Sequence, residues 1–193
     1  MYVTIEGIDT AGKSTQIEAL RKLFADAVFT KEPGGTDVGQ TIRSMVLNGE
    51  MQSKHAEMFM FLADRAEHTH NVIVQNMDKL IISDRSCVSG VAYATVQDVC
   101  DMDTLVQLNR LATDNHLPQH VFILVLTPQE LTYRLSQKEH DAIESRGIDY
   151  LLSIQDALIA SAHALGIQTH VIDASQSIDT ITLEIANLIK GNI

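Results

Sequence analysis

Residues Gly7–Ser14 read GIDTAGKS, and this stretch decides the fold. It matches the pattern GxxxxGK[ST] in full, and it lies between a β-prone run, Tyr2–Ile5, and a helical pattern over Lys13–Phe24. In such a loop successive backbone N–H groups turn inward, and the start of the helix adds the positive end of its dipole. The motif therefore predicts a loop that binds the phosphates of a nucleoside triphosphate.

Each part of the loop has a predicted role. Lys13 is expected to reach the β- and γ-phosphates, and the Ser14 hydroxyl is expected to ligate Mg²⁺. The alternative is a glycine-containing turn that matches by chance, but the strand before it and the helix after it favour the phosphate loop. The loop residues predicted to bind ATP are Gly7, Ile8, Asp9, Thr10, Ala11, Gly12, Lys13, Ser14 and Thr15.

Short apolar runs alternate with helical patterns, which predicts a parallel sheet covered by helices on both faces. The longest helical pattern covers Lys54–Asn76, and another runs from Ser89 to Asn115 with a break around Asp98–Asp101. Residues 1–193 contain no linker rich in Pro and Gly, so a single domain is expected. The predicted strands are Tyr2–Ile5, Ala27–Thr30, Lys79–Ser83, Val121–Leu126 and Thr169–Ile172.

The composition argues against several classes of protein, among them nucleic-acid-binding and membrane-spanning proteins. The 193 residues are 45% hydrophobic and carry a formal net charge of −11, which argues against a general nucleic-acid surface because phosphate-backbone binding needs a basic face. Cys87 and Cys100 form no CxxC pair, so neither a metal site nor a disulfide framework is indicated. The sequence shows no secretory leader and no apolar run long enough to span a bilayer. We therefore expect a cytoplasmic enzyme with no nucleic-acid or membrane partner.

Side chains that follow strand ends should meet, because ligands bind beyond the carboxyl ends of parallel strands. Asp84 follows the apolar run KLIIS, the usual setting of a carboxylate that holds Mg²⁺ through water. A helix cap or turn residue is the alternative, and the adjacent Arg85 favours a site where metal and phosphate meet. A GTPase would carry a base-reading NKxD sequence after a later strand. The predicted strand Val121–Leu126 ends instead in LVLTPQE, which argues against a GTPase. Small kinases that act on nucleotides or metabolites become the leading class.

Five segments stand in order along the chain: EGIDTAGKSTQ at Glu6–Gln16, TKEPGGTDVGQTIR at Thr30–Arg43, FLADRAEH at Phe61–His68, DRSCVSGVAY at Asp84–Tyr93 and DAIE at Asp141–Glu144. In matching order they resemble segments of the thymidylate kinase family. The resemblance implies a P-loop kinase fold, with a five-stranded parallel sheet, helices on both faces and a short lid at approximately 136–147. It implies ATP-dependent phosphorylation of dTMP to dTDP with Mg²⁺, and a homodimer.

The resemblance also implies roles for an acceptor-binding set. Asp9 would lie near the acceptor sugar and phosphate, and Arg43 and Arg85 would grip the monophosphate. Phe61 would stack on thymine, and Arg65 would hydrogen-bond the base edge. The whole implied set is Asp9, Glu32, Pro33, Arg43, Phe61, Arg65, Arg85, Ser89, Gly90 and Tyr93.

Three of these residues also have an ordinary structural alternative. A phenylalanine in the apolar stripe around Phe61 is usually core, and an arginine such as Arg65 on an amphipathic helix is usually solvated. Ser89 and Gly90 are expected to line the base pocket. Tyr93 is expected to pack under the deoxyribose and disfavour a 2′-hydroxyl, with half-buried packing as its alternative.

The chain departs from the family pattern where a catalytic arginine is expected. Thr10 occupies the loop position that is arginine in some members, and Ala142 in DAIE occupies the position of a lid arginine in others. Lys138 or Arg146 is therefore expected to supply the cation, whereas Arg134 is expected against the adenine face. The catalytic set becomes Lys13, Asp9, Arg85, Lys138 and Arg146.

Two other positions depart from the family pattern. Ser86 stands where the family commonly has tyrosine, and Ala94 stands where it often has glutamine.

Two other functions remain as alternatives. A kinase of the same fold with another nucleotide or metabolite acceptor is the nearer alternative. A P-loop ATPase switch is the other, and it would need neither Arg43 nor Phe61.

Overall fold

A computed structural model describes residues 1–137 and 147–192. Its centre is a five-stranded sheet in which every paired strand is parallel, with the order β2-β3-β1-β4-β5. All five predicted strands are present, so the predicted fold class is confirmed. The strands are β1 (Tyr2–Gly7), β2 (Val28–Lys31), β3 (Ile81–Asp84), β4 (His120–Val125) and β5 (Gln168–Asp173).

Helices cover both faces of the sheet. In order they are α1 (Lys13–Leu23), α2 (Asp37–Leu47), α3 (Lys54–His68), α4 (Cys87–Val96), α5 (Met102–Ala112), α6 (Pro128–Leu135), α7 (Ile148–Leu165) and α8 (Ile178–Lys190). Helices α1 and α8 pack together on one face, and α3, α4, α5 and α7 pack among themselves on the other, as right-handed crossovers require. Among the described residues, no helix has the length and apolar character needed to cross a membrane.

The long predicted helix over Lys54–Asn76 changes type along its length. Regular α-helix ends at His68, a π-helical turn covers Thr69–Ile73, and a 3₁₀ turn covers Val74–Asn76. Ile73, at the end of the π turn, is buried in a cluster with Tyr2 and Ile81. The extent of the pattern is confirmed, and the prediction of one regular α-helix is wrong for its last two turns.

The predicted break after α4 is confirmed. Helix α4 ends at Val96 and α5 starts at Met102, where the Asp101 carboxylate accepts a hydrogen bond from the Thr104 backbone N–H at 2.9 Å. That cap satisfies a donor that the helix itself leaves unpaired. Aspartate here is therefore a helix-start signal.

The strand register determines where the site forms. Strand β1 is buried along its whole length, and Ile5 lies opposite Asp84 of β3. On its other side, Gly7 lies opposite Leu124 of β4. The carboxyl ends of the central strands therefore reach the same edge of the sheet, where the loops that follow them meet.

Candidate active site

The loop from Gly7 to Lys13 joins the end of β1 to the start of α1, as its sequence predicts. Gly7 has a φ of 151°, and a Cβ atom there would lie 2.9 Å from the Leu124 carbonyl oxygen and 3.1 Å from the Ala11 Cβ. Only glycine lets the chain leave the sheet this close to β4. Gly12 caps α1, and Ser14 and Thr15 are exposed in its first turn.

Lys13 is folded back onto the loop. Its Nζ donates to the Ile8 carbonyl oxygen at 2.9 Å and lies 3.7 Å from Asp9 Oδ1. Burial and then the nearby Arg85 guanidinium lower the pKa of Lys13 to about 8. The charge of this buried ammonium group is not fully balanced by the nearby carboxylates. Inside a loop of backbone N–H groups, such a cation is suited to bind an anionic ligand.

Arg85 connects the loop to helix α4. Its Nη2 lies 2.8 Å from Asp9 Oδ1, and its Nη1 donates to the Gly7 carbonyl oxygen at 3.4 Å and to Ser89 Oγ at 3.1 Å. The guanidinium also lies over the ring of Tyr93, 5.6 Å from its centroid. Arg85 therefore lies beside the phosphate loop and contacts it through Asp9 and Gly7.

The segment after β2 carries a buried ion pair. Glu32 Oε2 accepts from Arg65 Nε at 2.8 Å, and Glu32 Oε1 lies 2.9 Å from His68 Nδ1. Burial favours a raised pKa of Glu32, but Arg65 and His68 hold that pKa below its usual value. Arg43, on α2, donates from Nη1 to the Pro33 carbonyl oxygen at 3.2 Å.

Arg65 is 4% exposed, which rules out a solvated side chain. Besides the bond to Glu32, its Nη1 donates to Asn109 Oδ1 at 2.7 Å and its Nη2 to the Ser86 carbonyl oxygen at 3.2 Å. A Cβ atom at position 90 would lie 2.6 Å from Nη1, so Gly90 makes room for the guanidinium. These contacts use three of the five N–H groups of the guanidinium.

The side chains of Phe61 and Tyr93 are only partly buried. Phe61 packs against neither hydrophobic cluster formed by the described residues, whereas its helix neighbours Met58 and Leu62 do pack there. Tyr93 packs against the core, and its buried hydroxyl has no hydrogen-bond partner among the residues that the structure describes. The core alternative is therefore wrong for Phe61 and partly right for Tyr93.

Asp84 ends β3 beside the loop. Its Oδ1 is buried and lacks a hydrogen-bond partner within the described part of the chain. Ser86, and not Asp84, caps α4, because Ser86 Oγ accepts from the Val88 backbone N–H at 3.2 Å. An unpartnered carboxylate oxygen and the exposed hydroxyl of Ser14 are the hard oxygen donors that suit Mg²⁺.

Arg134 binds backbone carbonyl oxygens of the phosphate loop. Its Nη1 donates to the carbonyl oxygens of Thr10 at 3.1 Å and Ala11 at 3.4 Å, and its Nη2 donates to that of Ala174 at 2.6 Å. Its Nε donates to Glu130. Lys138, Arg146 and the DAIE segment lie outside the described residues.

Buried polar residues that contact this site but are absent from the predicted set include Glu6 and Asn109. Glu6 accepts hydrogen bonds from Ser86 and Ser89, and Asn109 accepts one from Arg65. For Glu6 a signal exists, because an acidic residue in a fully buried strand is rare without a partner. Asn109 gives no comparable signal, since one polar residue on a helix face is ordinary.

Comparison with known proteins gives consistent matches along the chain. A family model described as Thymidylate kinase matches residues 5–185. The thymidylate kinase of Sulfurimonas denitrificans is 58% identical over 190 residues, covering 98% of this chain and 100% of that protein. That of Aliarcobacter butzleri is 53% identical over 190 residues, covering 98% and 99%. The crystal structure of thymidylate kinase from Ehrlichia chaffeensis superposes with a TM-score of 0.72 at 27% identity, covering 98% of each chain.

Thr10 is a strained position, and this strain gives a prediction. It is β-branched yet has a φ of 67°, and its buried Oγ1 has no hydrogen-bond partner among the described residues. Since glycine adopts this conformation freely, we expect Thr10→Gly to raise Tm by about 2–4 °C, which corresponds to about 1 kcal/mol. Thermal unfolding followed by circular dichroism measures the shift.

The same substitution at Thr15 is the matched control. Thr15 is exposed in the regular first turn of α1, so Thr15→Gly should lower the free energy of unfolding by about 0.5 kcal/mol or less. Equal destabilisation by both substitutions would show that position 10 is not strained.

Proposed function

The chain belongs to the thymidylate kinase family, and from this premise we propose that it transfers the γ-phosphoryl group of ATP to thymidine monophosphate. The products are ADP and thymidine diphosphate. One observation carries the proposal beyond family membership: Arg85 lies 2.8 Å from Asp9 of the phosphate loop. A cation suited to an acceptor phosphate is thus adjacent to the loop suited to a triphosphate, as in-line transfer between the two requires.

The chemistry needs positioning and charge neutralisation. The acceptor phosphate is already anionic at neutral pH, so no general base is required. Lys13 would exchange its contact with the Ile8 carbonyl for oxygens of the triphosphate, while Arg43 and Arg85 hold the acceptor monophosphate. Ser14 and Asp84 are the residues that would hold Mg²⁺, which when bound neutralises charge on the phosphates.

Recognition of the base is assigned to α3 and α4. Phe61 offers a ring that is not used by the core, which supports stacking on thymine. Arg65 has two N–H groups beyond those that bind Glu32, Asn109 and Ser86, and one of them would donate to the base edge. Ser89, Gly90 and Tyr93 would line the rest of the pocket.

The remaining catalytic cation is assigned to the lid, residues 136–147. Thr10 supplies no charge in the loop, and Arg134 is bonded to backbone carbonyl oxygens and Glu130. Lys138 or Arg146 would then neutralise the transferring phosphoryl group, and lid closure would exclude water. Arg134 remains assigned to the ATP site, where its stem could contact adenine.

Assembly and location complete the proposal. We expect one domain, located in the cytoplasm, with ATP and dTMP as its ligands. A homodimer is proposed from the resemblance to the family, and some apolar side chains exposed on α2 and after α3 would be covered in such a dimer. These are Val38, Leu47 and Met77. Sedimentation equilibrium at micromolar concentration measures the mass.

An acceptor panel tests the function directly. In a coupled ADP-release assay, dTMP should be the best acceptor, and dUMP should be used less well, because the missing methyl contact is worth about 1–3 kcal/mol. Cytidine and purine monophosphates should be rejected more strongly, since a hydrogen-bonding pocket leaves unpaired groups with them. Equal turnover of dCMP and dTMP would contradict the role of Arg65, and ADP release without any acceptor requirement would contradict the kinase itself.

Phe61 has a matched control two residues away. If its ring stacks on thymine, Phe61→Ala should weaken dTMP binding about 5- to 150-fold, since base stacking on an aromatic side chain is worth about 1–3 kcal/mol. Phe59 lies on the same helix and is 54% exposed, so Phe59→Ala should leave dTMP affinity unchanged. Isothermal titration calorimetry gives both dissociation constants. Equal affinity in the two variants would remove Phe61 from the base site.

Lys138→Ala and Arg146→Ala separate the two lid cations. The substitution that removes the catalytic cation should lower kcat about a hundredfold and leave KM for dTMP nearly unchanged, because that cation acts mainly in the transition state. Steady-state kinetics of both variants decides between them. Wild-type kcat in both would mean that neither residue is the donor.

A further inference from the structure

Glu6 is a fully buried carboxylate without a role in the mechanism above. It is 0% exposed and lies at the end of β1, directly before Gly7 of the phosphate loop. Its Oε1 accepts from Ser86 Oγ at 2.9 Å and from the Ser89 backbone N–H at 3.3 Å, and its Oε2 accepts from Ser89 Oγ at 2.6 Å. Three donors from the first turn of α4 therefore converge on one side chain of β1.

The hydrogen-bond directions follow from the partners. Ser89 Oγ has one proton, and the 2.6 Å contact gives that proton to Glu6. A lone pair of Ser89 Oγ is then left for Arg85 Nη1, which donates to it at 3.1 Å. The result is a chain from carboxylate to hydroxyl to guanidinium, in which each bond polarises the next.

Arg85 is held by two contacts, of which one can be exchanged for a ligand and the other cannot. Its Nη1 is bound to Ser89, whose hydroxyl is oriented by buried Glu6, so this side is fixed by the protein interior. Its Nη2 contacts Asp9, which is 25% exposed in the loop. The Asp9 contact can be exchanged for an oxygen of an incoming phosphate, while the Ser89 contact keeps the guanidinium in place.

We propose that Glu6 is a positioning residue that, through the Ser89 hydroxyl, fixes Arg85 for the phosphate of the acceptor. This inference rests on the proposed function, because it takes Arg85 to bind that phosphate. It also gives a role to a buried acidic side chain that lies directly before the phosphate loop and contacts the arginine through the Ser89 hydroxyl.

The test compares a ligand with phosphate and a ligand without it. Titration calorimetry gives the dissociation constants of thymidine and of dTMP for wild type and for Glu6→Gln, and their ratio measures the contribution of the phosphate. The Ser89 backbone N–H needs an acceptor, so the amide oxygen takes the place of Oε1 and the amide nitrogen faces Ser89 Oγ. That nitrogen can only donate, so it opposes the present orientation of the Ser89 hydroxyl. We expect the ratio Kd(thymidine)/Kd(dTMP) to fall about tenfold, with thymidine binding unchanged.

A second variant and a double-mutant cycle keep the test decisive. Ser89→Ala removes the connecting hydroxyl and should lower the ratio in the same direction, and adding Glu6→Gln should lower it no further, because both act through one contact. If Glu6→Gln does not fold, the Ser89→Ala ratio alone decides. Thr182→Val removes another buried hydrogen bond, to Gln16, and should reduce stability without changing the ratio.

The outcomes separate the two proposals. An unchanged ratio in folded Glu6→Gln or in Ser89→Ala overturns the role of Glu6, as does an equal fall in Thr182→Val, which would mark a general loss of packing. Wild type that binds dTMP no better than thymidine would contradict the proposed function instead.

Discussion

The parallel register between β1 and β3 is the constraint on which the site depends. With Ile5 opposite Asp84, the Arg85 backbone N–H donates to the Ile5 carbonyl oxygen at 3.1 Å, so the chain after β3 turns directly beside the phosphate loop. The Glu32 N–H donates to the Asp84 carbonyl oxygen at 3.0 Å, which brings the segment after β2 to the same level. A slip of one residue would turn each side chain to the opposite face and separate these groups.

The arginines beside the site, one buried and one partly buried, are held by specific carboxylate partners. Arg65 is paired with Glu32, and Arg85 with Asp9. Pairs of this kind contribute little net stability once desolvation is counted, but removing one partner leaves a buried charge uncompensated. Their value is geometric, since donors that are already oriented need no reorganisation when a charged ligand arrives.

The sequence predicts the parts of this arrangement that depend on local pattern. The loop at Gly7–Ser14, the five strands and the strand-end Asp84 follow from glycine spacing and apolar periodicity. The pattern alone does not decide whether Phe61 and Arg65 are core, solvated or available, because that depends on which neighbours the packed helices supply. Asn109 is 44 residues from the arginine it contacts, so no local signal connects them. Ile73 at the end of the π turn likewise packs with Tyr2 and Ile81, of which Tyr2 is far from it in sequence.

Arg134 lies near the phosphate loop, but its hydrogen bonds occupy it there, so it is not positioned to neutralise the phosphoryl group that is transferred. Its nitrogens are bonded to the carbonyl oxygens of Thr10, Ala11 and Ala174 and to Glu130, so it stabilises the backbone of the loop from outside. If the guanidinium left these carbonyl oxygens, partly buried acceptors would lose their partner, which costs free energy. The cation for the transferring phosphoryl group is therefore proposed to come from another residue.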